Sequence, residues 1–443
     1  MSGGGTAAIP APEPRPWLRA VGWLAFLAPF FYLTYGAANA IAARRHDVPS
    51  IVFAWEHRIP FLAWTIIPYW SINAFYALSL FVCRTRAELE THVRRLLTAQ
   101  IAAVVCFILF PLAFTFHQPE THGVAGFLFA ALASFDKPFN QAPSLHIALL
   151  VILWRLYATH LPSAARWPLH VWFTSVAVSV LTTYQHHFFD VPTGALLGVA
   201  CLWLWPDYGK SPVAAIEPAA DRRRLVLASR YLVGSALVAA LALWIGGAGW
   251  WLLWPAMSLA LVSLNYAVLG AAGFQKDAKG RMSLPATLLL APYLAGAFVN
   301  SRSWTRREPQ PVAIGDGVWL WRMPVAREAA GFTTVVDLCA ELPGAAAAGA
   351  WVCIPMLDLV APDPAQLRHA AARIERAREA GSVLVCCALG YSRSAAAVAT
   401  WLVTTNRADG MTEAIEKVHR AKPRMVIDVP LRAAIATATG RGA

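Results

Sequence analysis

The sequence predicts an α-helical polytopic membrane bundle followed by a C-terminal, three-layer α/β domain. Apolar residues make up 58% of the chain and charged residues 14%, whereas a soluble domain has about 25% charged residues. Nineteen tryptophans fit a membrane protein, because Trp favours membrane interfaces. From about residue 312, short β-like runs alternate with helix-like stretches, which is typical of an α/β domain.

Changes in composition divide the chain into five segments. We expect a disordered tail (1–16), a membrane bundle (17–206), a linker (207–225), additional spans (226–304) and the α/β domain (305–443). The eight or nine expected spans are 20–42, 60–83, 97–117, 145–160, 168–184, 191–206, 226–246, 250–272 and a weaker one at 283–300. The two between 145 and 184 are short and carry polar residues, which a bundle tolerates around a polar cavity.

Lys and Arg placement predicts the orientation of the spans. Most positive charge lies in alternate loops, and this bias favours a cytoplasmic N-terminus in an inner (plasma) membrane. The net charge of +12 follows from these loops, and without a basic stripe interleaved with aromatics we expect no nucleic-acid binding. If 283–300 spans, the α/β domain is periplasmic. If that segment lies flat or re-enters, the domain is cytoplasmic, which suits a reactive thiol.

The segment from Val383 to Ser394 carries the first candidate site. A β run ends in Cys386 and Cys387, a short loop follows, and an Ala-rich helix begins. The N–H groups of such a loop and the positive end of the helix bind anions and favour the thiolate form of Cys387. A thiolate can attack phosphorus, and Arg393 can bind two phosphate oxygens. The expected phosphate-binding residues are Ala388, Leu389, Gly390, Tyr391, Ser392 and Ser394.

A proton donor for the leaving oxygen is expected after another β run. Asp358 stands 29 residues before Cys387 and is the candidate general acid, with Asp363 as the alternative. The pattern Cys-x5-Arg-Ser between strand and helix resembles the dual-specificity (tyrosine-like) phosphatases, over about residues 312–443. The resemblance implies a Cys387 nucleophile, a phosphate loop at 387–393, an Asp358 acid, and no metal or cofactor.

One position departs from that family. The residue before the nucleophile is usually His there and is Cys386 here, which offers a candidate resolving thiol for reversible oxidation. The structural alternative for the whole segment is that Cys386 and Cys387 are buried strand-end residues and that Arg393 is a surface charge.

Two polar clusters in the membrane half form the second candidate site. The first contains Lys137, Ser144 and His146, and the second contains His186 and Asp190. Because His186 and Asp190 are four residues apart, they share a face if they lie on a helix. A carboxylate that holds one imidazole nitrogen leaves the other nucleophilic. His146 is then the candidate acid, and Ser144 and Lys137 are candidates for binding phosphate; alternatively, Ser144 and Asp190 only cap helices.

Pro-Ser-Leu-His at 143–146 and His-x3-Asp-Val at 186–191 resemble the type 2 phosphatidic acid phosphatase superfamily, in particular its inositolphosphotransferase-like branch. The resemblance covers roughly residues 60–206. It implies that His186 is the nucleophile, Asp190 its orienting group and His146 the acid. The basic stretch that usually precedes these motifs is missing, and Arg94 or Arg95 is the candidate replacement.

The two resemblances imply a membrane phosphatase that hydrolyses phosphate monoesters. The expected substrates are lipid phosphates at the histidine site and a lipid or protein phosphate at the cysteine site. One alternative is a lipid phosphotransferase, in which an alcohol captures the phosphohistidine. A second is a membrane sensor that binds phosphate without turnover. The expected partners are the bilayer and the phosphorylated substrate, and the sequence does not determine the oligomeric state.

Overall fold

The computed structural model of the chain describes residues 14–219, 221–345 and 349–440. It forms two compact units, Met1–Ser211 and Pro212–Ala443, each described by itself. Residues 1–13 of the expected disordered tail lie outside the described residues. The predicted fold class is confirmed: a helical membrane-type bundle is followed by a C-terminal α/β domain.

The first unit is a helical bundle around one apolar core. Its helices are α1 (Trp17–Ala42), α2 (Ile66–Val82), α3 (Arg86–Leu109), α4 (Gly123–Ala133), α5 (Leu145–His160), α6 (Ser163–Thr182) and α7 (Asp190–Leu204). Two of them begin at side-chain caps, since Thr85 accepts a hydrogen bond from the N–H of Glu88 and Ser144 accepts one from that of Ile147.

The second unit begins with α8 (Arg222–Ile245), α9 (Leu253–Leu264) and α10 (Leu284–Thr305). The α/β domain follows, with β1 (Val312–Gly315), β2 (Val318–Arg322), α11 (Ala326–Ala329), β3 (Thr334–Cys339), β4 (Ala350–Met356), α12 (Pro364–Glu379), β5 (Val383–Cys387), α13 (Arg393–Thr404), α14 (Met411–Ala421) and α15 (Val429–Thr439). The sheet order is β1-β2-β5-β3-β4. β1 is antiparallel to β2, and the other neighbours are parallel.

Within the described ranges, six helical stretches are long and apolar enough to cross a membrane: Trp17–Ala42, Ala63–Val82, Arg86–Leu109, Arg222–Ile245, Gly247–Phe274 and Leu284–Thr305. Three further spans were expected from the sequence, at 145–160, 168–184 and 191–206. These segments are helical and form α5, α6 and α7, but none of the three is among the six stretches that could cross a membrane. α5 has 16 residues and α7 has 15, fewer than the roughly 20 that a span needs.

Helices cover both faces of the central strands. α12 to α15 pack on one face, and α11 together with Ala297 of α10 packs on the other. β5 is therefore buried at every residue, as expected of a parallel strand covered on both sides. This helix–sheet–helix arrangement is the predicted three-layer domain.

Helix α10 and the loop before it are both bound to the α/β domain. In the loop before it, Lys276 forms a buried ion pair with Asp337 at 2.6 Å. In its last turns, the hydroxyl of Ser301 donates to the carbonyl of Ala388 at 2.6 Å. Arg302 donates to the carbonyl of Met323 at 3.0 Å. Residues in the middle of α10 join the apolar clusters that reach the domain, so the helix lies along the domain.

Candidate active sites

The cysteine site forms where parallel strands end. Cys387 ends β5, Glu341 follows β3 by two residues, and Asp358 follows β4 by two residues. Because β3, β4 and β5 are parallel neighbours, their carboxyl ends meet at one edge of the sheet, where α/β proteins usually bind ligands.

The loop after Cys387 folds back on the cysteine sulfur. The N–H of Gly390 donates to the Cys387 sulfur at 3.3 Å, and the Ser394 hydroxyl lies 3.2 Å from the same sulfur. Gly390 has a φ of +78°, and a Cβ there would lie 2.5 Å from the carbonyl carbon of Trp321. Only glycine fits that position without movement. The loop therefore places one backbone N–H and one hydroxyl against the thiol.

Two of the remaining loop residues, Ala388 and Tyr391, bind segments outside the loop. The carbonyl of Ala388 accepts the Ser301 hydrogen bond, and Leu389 lines the cleft beside the loop. The buried Tyr391 accepts a backbone hydrogen bond from Val426 at 2.8 Å. Ser392 is the residue immediately before α13.

Arg393 is buried and binds two carboxylates. One terminal nitrogen donates to Glu341 at 2.7 Å and to the carbonyl of Met356 at 2.8 Å, and the other lies 2.9 Å from Asp358. Burial opposes its charge, but Glu341 and Asp358 raise the pKa of Arg393 well above its usual range. The surface-charge alternative for Arg393 is therefore wrong.

One donor of Arg393 is not used within the described part of the protein. Among the described residues, its Nε–H is buried and has no hydrogen-bond partner, and no hydrogen bond joins its guanidinium to Cys387. An Nε–H of this kind is a charged donor from which a phosphoryl oxygen can accept a hydrogen bond. The expected clamp on phosphate stays a prediction, with one donor free for it.

The two acidic candidates have different environments. The half-buried Asp358 has a raised pKa because the surrounding protein limits its hydration; Glu341 adds to the effect, and Arg393 opposes it. Asp363 instead accepts a hydrogen bond from the N–H of Ala365 at 2.6 Å and caps α12. Asp358 is the one at the loop.

Sequence reasoning missed Glu341, which is 4% exposed. Burial favours its neutral form, but the charge of Arg393 outweighs this and lowers the pKa of Glu341. An acidic residue directly after a predicted strand was the available signal, because that position lies at the same sheet edge as Cys387.

Cys386 and Cys387 point to opposite faces of β5, as neighbours on a strand do. Cys387 belongs to the core beneath α12 to α15, and Cys386 to the core on the other face. Burial raises the pKa of Cys386 well above its usual value. This geometry disfavours the hypothesis that Cys386 resolves an oxidised Cys387.

The histidine site joins the two polar clusters of the first unit. Nδ1 of His186 lies 3.1 Å from the carboxylate of Asp190, and its Nε2 lies 3.1 Å from the hydroxyl of Ser144. α7 begins at Asp190, so His186 lies in the turn before the helix and not on it. The predicted contact forms because Asp190 also accepts a hydrogen bond from the N–H of His187 at 3.1 Å, which closes the turn.

His146 lies beside His186 in one cavity. Its ring stacks on Tyr69 with centroids 4.2 Å apart, and within the described part of the chain its Nε2 is buried without a hydrogen-bond partner. A largely apolar cavity of about 170 Å³ is lined by both histidines and Asp136. A more polar cavity of about 380 Å³ is lined by His186, Asp136 and Lys137. His186 and Asp136 line both cavities.

Two features of this site differ from expectation. Neither Arg94 nor Arg95 replaces the missing basic stretch. The guanidinium of Arg94 lies 5.4 Å from the centre of the Trp205 ring, and Arg95 donates to the carbonyl of Trp205 and to Asp207, both at 2.7 Å. These residues follow the far end of α7, and 15 residues of helix correspond to about 22 Å. Sequence reasoning also missed the buried pair of His187 with Glu56, 3.1 Å apart, which supports the turn that carries His186.

About 30% of the chain is similar to solved phosphatase structures. Tk-PTP in its active form is 28% identical, with the match covering 30% of this chain and 99% of that one, at a TM-score of 0.28. Human DUSP28 is 27% identical, and the match covers 30% of this chain and 94% of that one, at a TM-score of 0.27. PTPMT1 is 18% identical, and the match covers 30% of this chain and 94% of that one, at a TM-score of 0.25. No protein-family model and no curated protein matches the chain.

Proposed function

We propose that this chain is a membrane phosphatase whose cysteine site hydrolyses a phosphate monoester. The observation that carries the proposal is the grouping of Cys387, Arg393 and Asp358 at the carboxyl edge of the sheet. The sulfur receives a hydrogen bond from Gly390, Arg393 keeps a free buried donor, and Asp358 lies 2.9 Å from the guanidinium. This is a nucleophile, an anion binder and an acid in one place.

The reaction proceeds in two displacements. The Cys387 thiolate attacks phosphorus, an S–P bond forms, and the P–O bond to the alcohol breaks while Asp358 gives its proton to the leaving oxygen. Water then attacks phosphorus, Asp358 accepts a proton from it, and the S–P bond breaks. Arg393 and the loop N–H groups bind the phosphoryl oxygens, and the Ser394 hydroxyl stabilises the departing thiolate. The raised pKa of Asp358 suits an acid that must start protonated.

We propose a second phosphate-transfer site at His186. Asp190 holds the proton on Nδ1, so the lone pair of His186 is on Nε2, where it faces the Ser144 hydroxyl at 3.1 Å. When phosphate binds, the Ser144 hydroxyl turns to a phosphoryl oxygen and the Nε2 lone pair attacks phosphorus. His146 in the same cavity protonates the leaving alcohol, and Ser144 and Lys137 bind the phosphate. The first few carbons of a lipid chain fit the apolar cavity of about 170 Å³, while phosphate and the attacking water fit the polar one.

The same two cavities favour one alternative, lipid phosphotransfer. An alcohol that enters the polar cavity in place of water captures the phosphohistidine. Products analysed with and without an added lipid alcohol separate the two reactions, because transfer gives a new phosphate ester and hydrolysis gives inorganic phosphate.

Single and double variants of the full-length protein test both sites. Cys387→Ser is expected to abolish turnover at the cysteine site and to trap bound substrate. His186→Ala is expected to abolish turnover at the histidine site. The double variant should release no phosphate from para-nitrophenyl phosphate or from phosphatidic acid in detergent micelles. Phosphate release by the double variant at the rate of the unaltered protein would refute both assignments.

We also propose that α10 does not cross the bilayer and that the α/β domain is cytoplasmic. α10 is long and apolar enough to span, but the loop before it and its last turns both bind the α/β domain. The ends of a spanning helix are separated by about 30 Å of hydrocarbon, so one soluble domain cannot bind both. Lys276, Lys279 and Arg281 in the loop before α10 agree with a cytoplasmic position.

A further inference from the structure

A cleft of about 360 Å³ opens beside the phosphate loop of the cysteine site. Its polar end is formed by Glu341 and Asp358 and by the loop residues Ala388 and Leu389. Its walls are formed by helices of the same unit, including Leu259 of α9 and Gly296 of α10. The cleft therefore joins a charged end to largely apolar walls.

The position of Asp358 decides which part of a substrate enters this cleft. The general acid must reach the oxygen that links phosphorus to the alcohol. Because Asp358 lies at the polar end of the cleft, a phosphoryl group above Cys387 directs its alcohol part between α9 and α10. The walls of the cleft therefore select the leaving group.

Those walls continue into an apolar outer surface. On α10, Leu288, Phe298 and Val299 are exposed, and on α9 Leu264 is exposed. Both helical stretches are apolar enough for a membrane. The cleft, at about 360 Å³, has the size of a small-molecule site, for which roughly 300–1,000 Å³ is usual. This is enough for a head group and the first part of a hydrocarbon chain.

We infer that the cysteine site takes the phosphate monoester of a membrane lipid, with the hydrocarbon part lying between α9 and α10. The inference rests on the proposed phosphatase activity and assigns its substrate class. A phosphoprotein needs an open rim around the loop, whereas here three helices of the same unit line the approach. The lipid enters sideways from the bilayer surface and does not leave it.

Gly296 allows this inference to be tested by filling the cleft. A Cβ at Gly296 would meet nothing within 4 Å outside its own helical turn, so a larger side chain there enters open space. Val299 is on the same helix and 63% exposed, and it does not line the cleft. Gly296→Phe and Val299→Phe are thus a matched pair, one inside the cleft and one outside.

The experiment uses full-length protein carrying His186→Ala, so that only the cysteine site turns over. The measured quantity is the ratio of kcat/KM for dioleoyl phosphatidic acid in mixed micelles to kcat/KM for para-nitrophenyl phosphate. A phosphotyrosine peptide is assayed beside them. Gly296→Phe is expected to lower the ratio of the phosphatidic acid kcat/KM to the para-nitrophenyl phosphate kcat/KM by about tenfold. A tenfold fall is equivalent to ~1.4 kcal/mol, the loss expected when about two methylene groups of the lipid are no longer buried. Val299→Phe should leave the ratio within about twofold, as expected of surface changes.

Each outcome decides the question. An unchanged ratio in Gly296→Phe, an equal fall in Val299→Phe, or a preference for the peptide overturns the lipid assignment while phosphatase activity stands. No turnover of para-nitrophenyl phosphate by the His186→Ala parent overturns the activity itself, and the inference with it. If Gly296→Phe does not fold, the parent is assayed with phosphatidic acids of increasing chain length. A rise of about fourfold per buried methylene is expected, the equivalent of ~0.8 kcal/mol, and a flat series refutes the inference.

Discussion

Replacing Glu341 by Gln is expected to displace the Arg393 guanidinium from the phosphate loop. Glutamine keeps one acceptor oxygen, which can still bind one guanidinium N–H. Its NH₂ group replaces the second carboxylate oxygen and faces the other guanidinium N–H, so two donors oppose each other and no hydrogen bond forms there. Breaking a buried ion pair by removing one partner lowers the free energy of unfolding by about 3–5 kcal/mol. Asp358 at 2.9 Å and the carbonyl of Met356 at 2.8 Å remain bound to Arg393, so we expect the low end, about 3 kcal/mol.

Part of that loss should be seen in catalysis. A displaced Arg393 loses a charge-assisted hydrogen bond to the phosphoryl group, worth about 1.5–3 kcal/mol, which corresponds to about 10–150-fold in kcat/KM. The assay is para-nitrophenyl phosphate hydrolysis by full-length protein in the His186→Ala background, together with inhibition by inorganic phosphate. Both kcat/KM and phosphate affinity should fall.

Glu375→Gln is the matched control. Glu375 forms half-buried pairs with Arg378 and Arg407 and accepts a hydrogen bond from Trp401 at 2.7 Å. Glu375→Gln therefore removes a paired carboxylate of the same domain that does not contact Arg393. It should change kcat/KM by no more than about twofold. If Glu341→Gln behaves like this control, Glu341 does not position Arg393, and the account of the site is wrong at that point.

Two further predictions concern the acid and the topology. Asp358 acts in its protonated form and its pKa is raised, so activity on an alkyl phosphate should persist to higher pH than an ordinary Asp allows and then fall as Asp358 ionises. Asp358→Asn should lower kcat by about 10²–10⁴-fold and remove that alkaline limb from the pH–rate profile; the same limb in the variant would contradict the assignment. A C-terminal fusion to green fluorescent protein should fluoresce, as in the cytoplasm, whereas an active C-terminal alkaline phosphatase fusion would place the domain in the periplasm.

Local patterns were sufficient where the chemistry lies within one stretch of chain. The strand–loop–helix from Val383 to Thr404 was predictable because a β run, a glycine and an Ala-rich run each have a strong local preference. The expected phosphate loop was 387–393, and the observed loop between β5 and α13 is 388–392, one residue shorter at each end. The contact of His186 with Asp190 was predictable from a spacing of four, although a turn and not a helix brings them together.

Contacts between distant segments were not predictable in the same way. Glu341 binds Arg393 across 52 residues, and this pairing follows from the placement of β3 beside β5, which no local pattern encodes. Ser144 likewise approaches His186 because α5 and α7 pack closely, where a Cβ at Gly194 would lie 2.4 Å from the carbonyl oxygen of Ser144. Helix packing of this kind depends on all the side chains at the contact.

The sequence by itself determined that the chain is a membrane-type bundle with an α/β domain, and which residues carry reactive groups. Hydrophobic periodicity and local backbone preference act over a few residues, and they are readable without the fold. Only the tertiary structure decided that α10 lies along the α/β domain, that Glu341 holds Arg393, and that apolar helices line the cleft at the cysteine site. Those features arise from packing between segments far apart in the chain. The stabilising free energy of such a contact depends on both segments together, so neither segment's sequence predicts it alone.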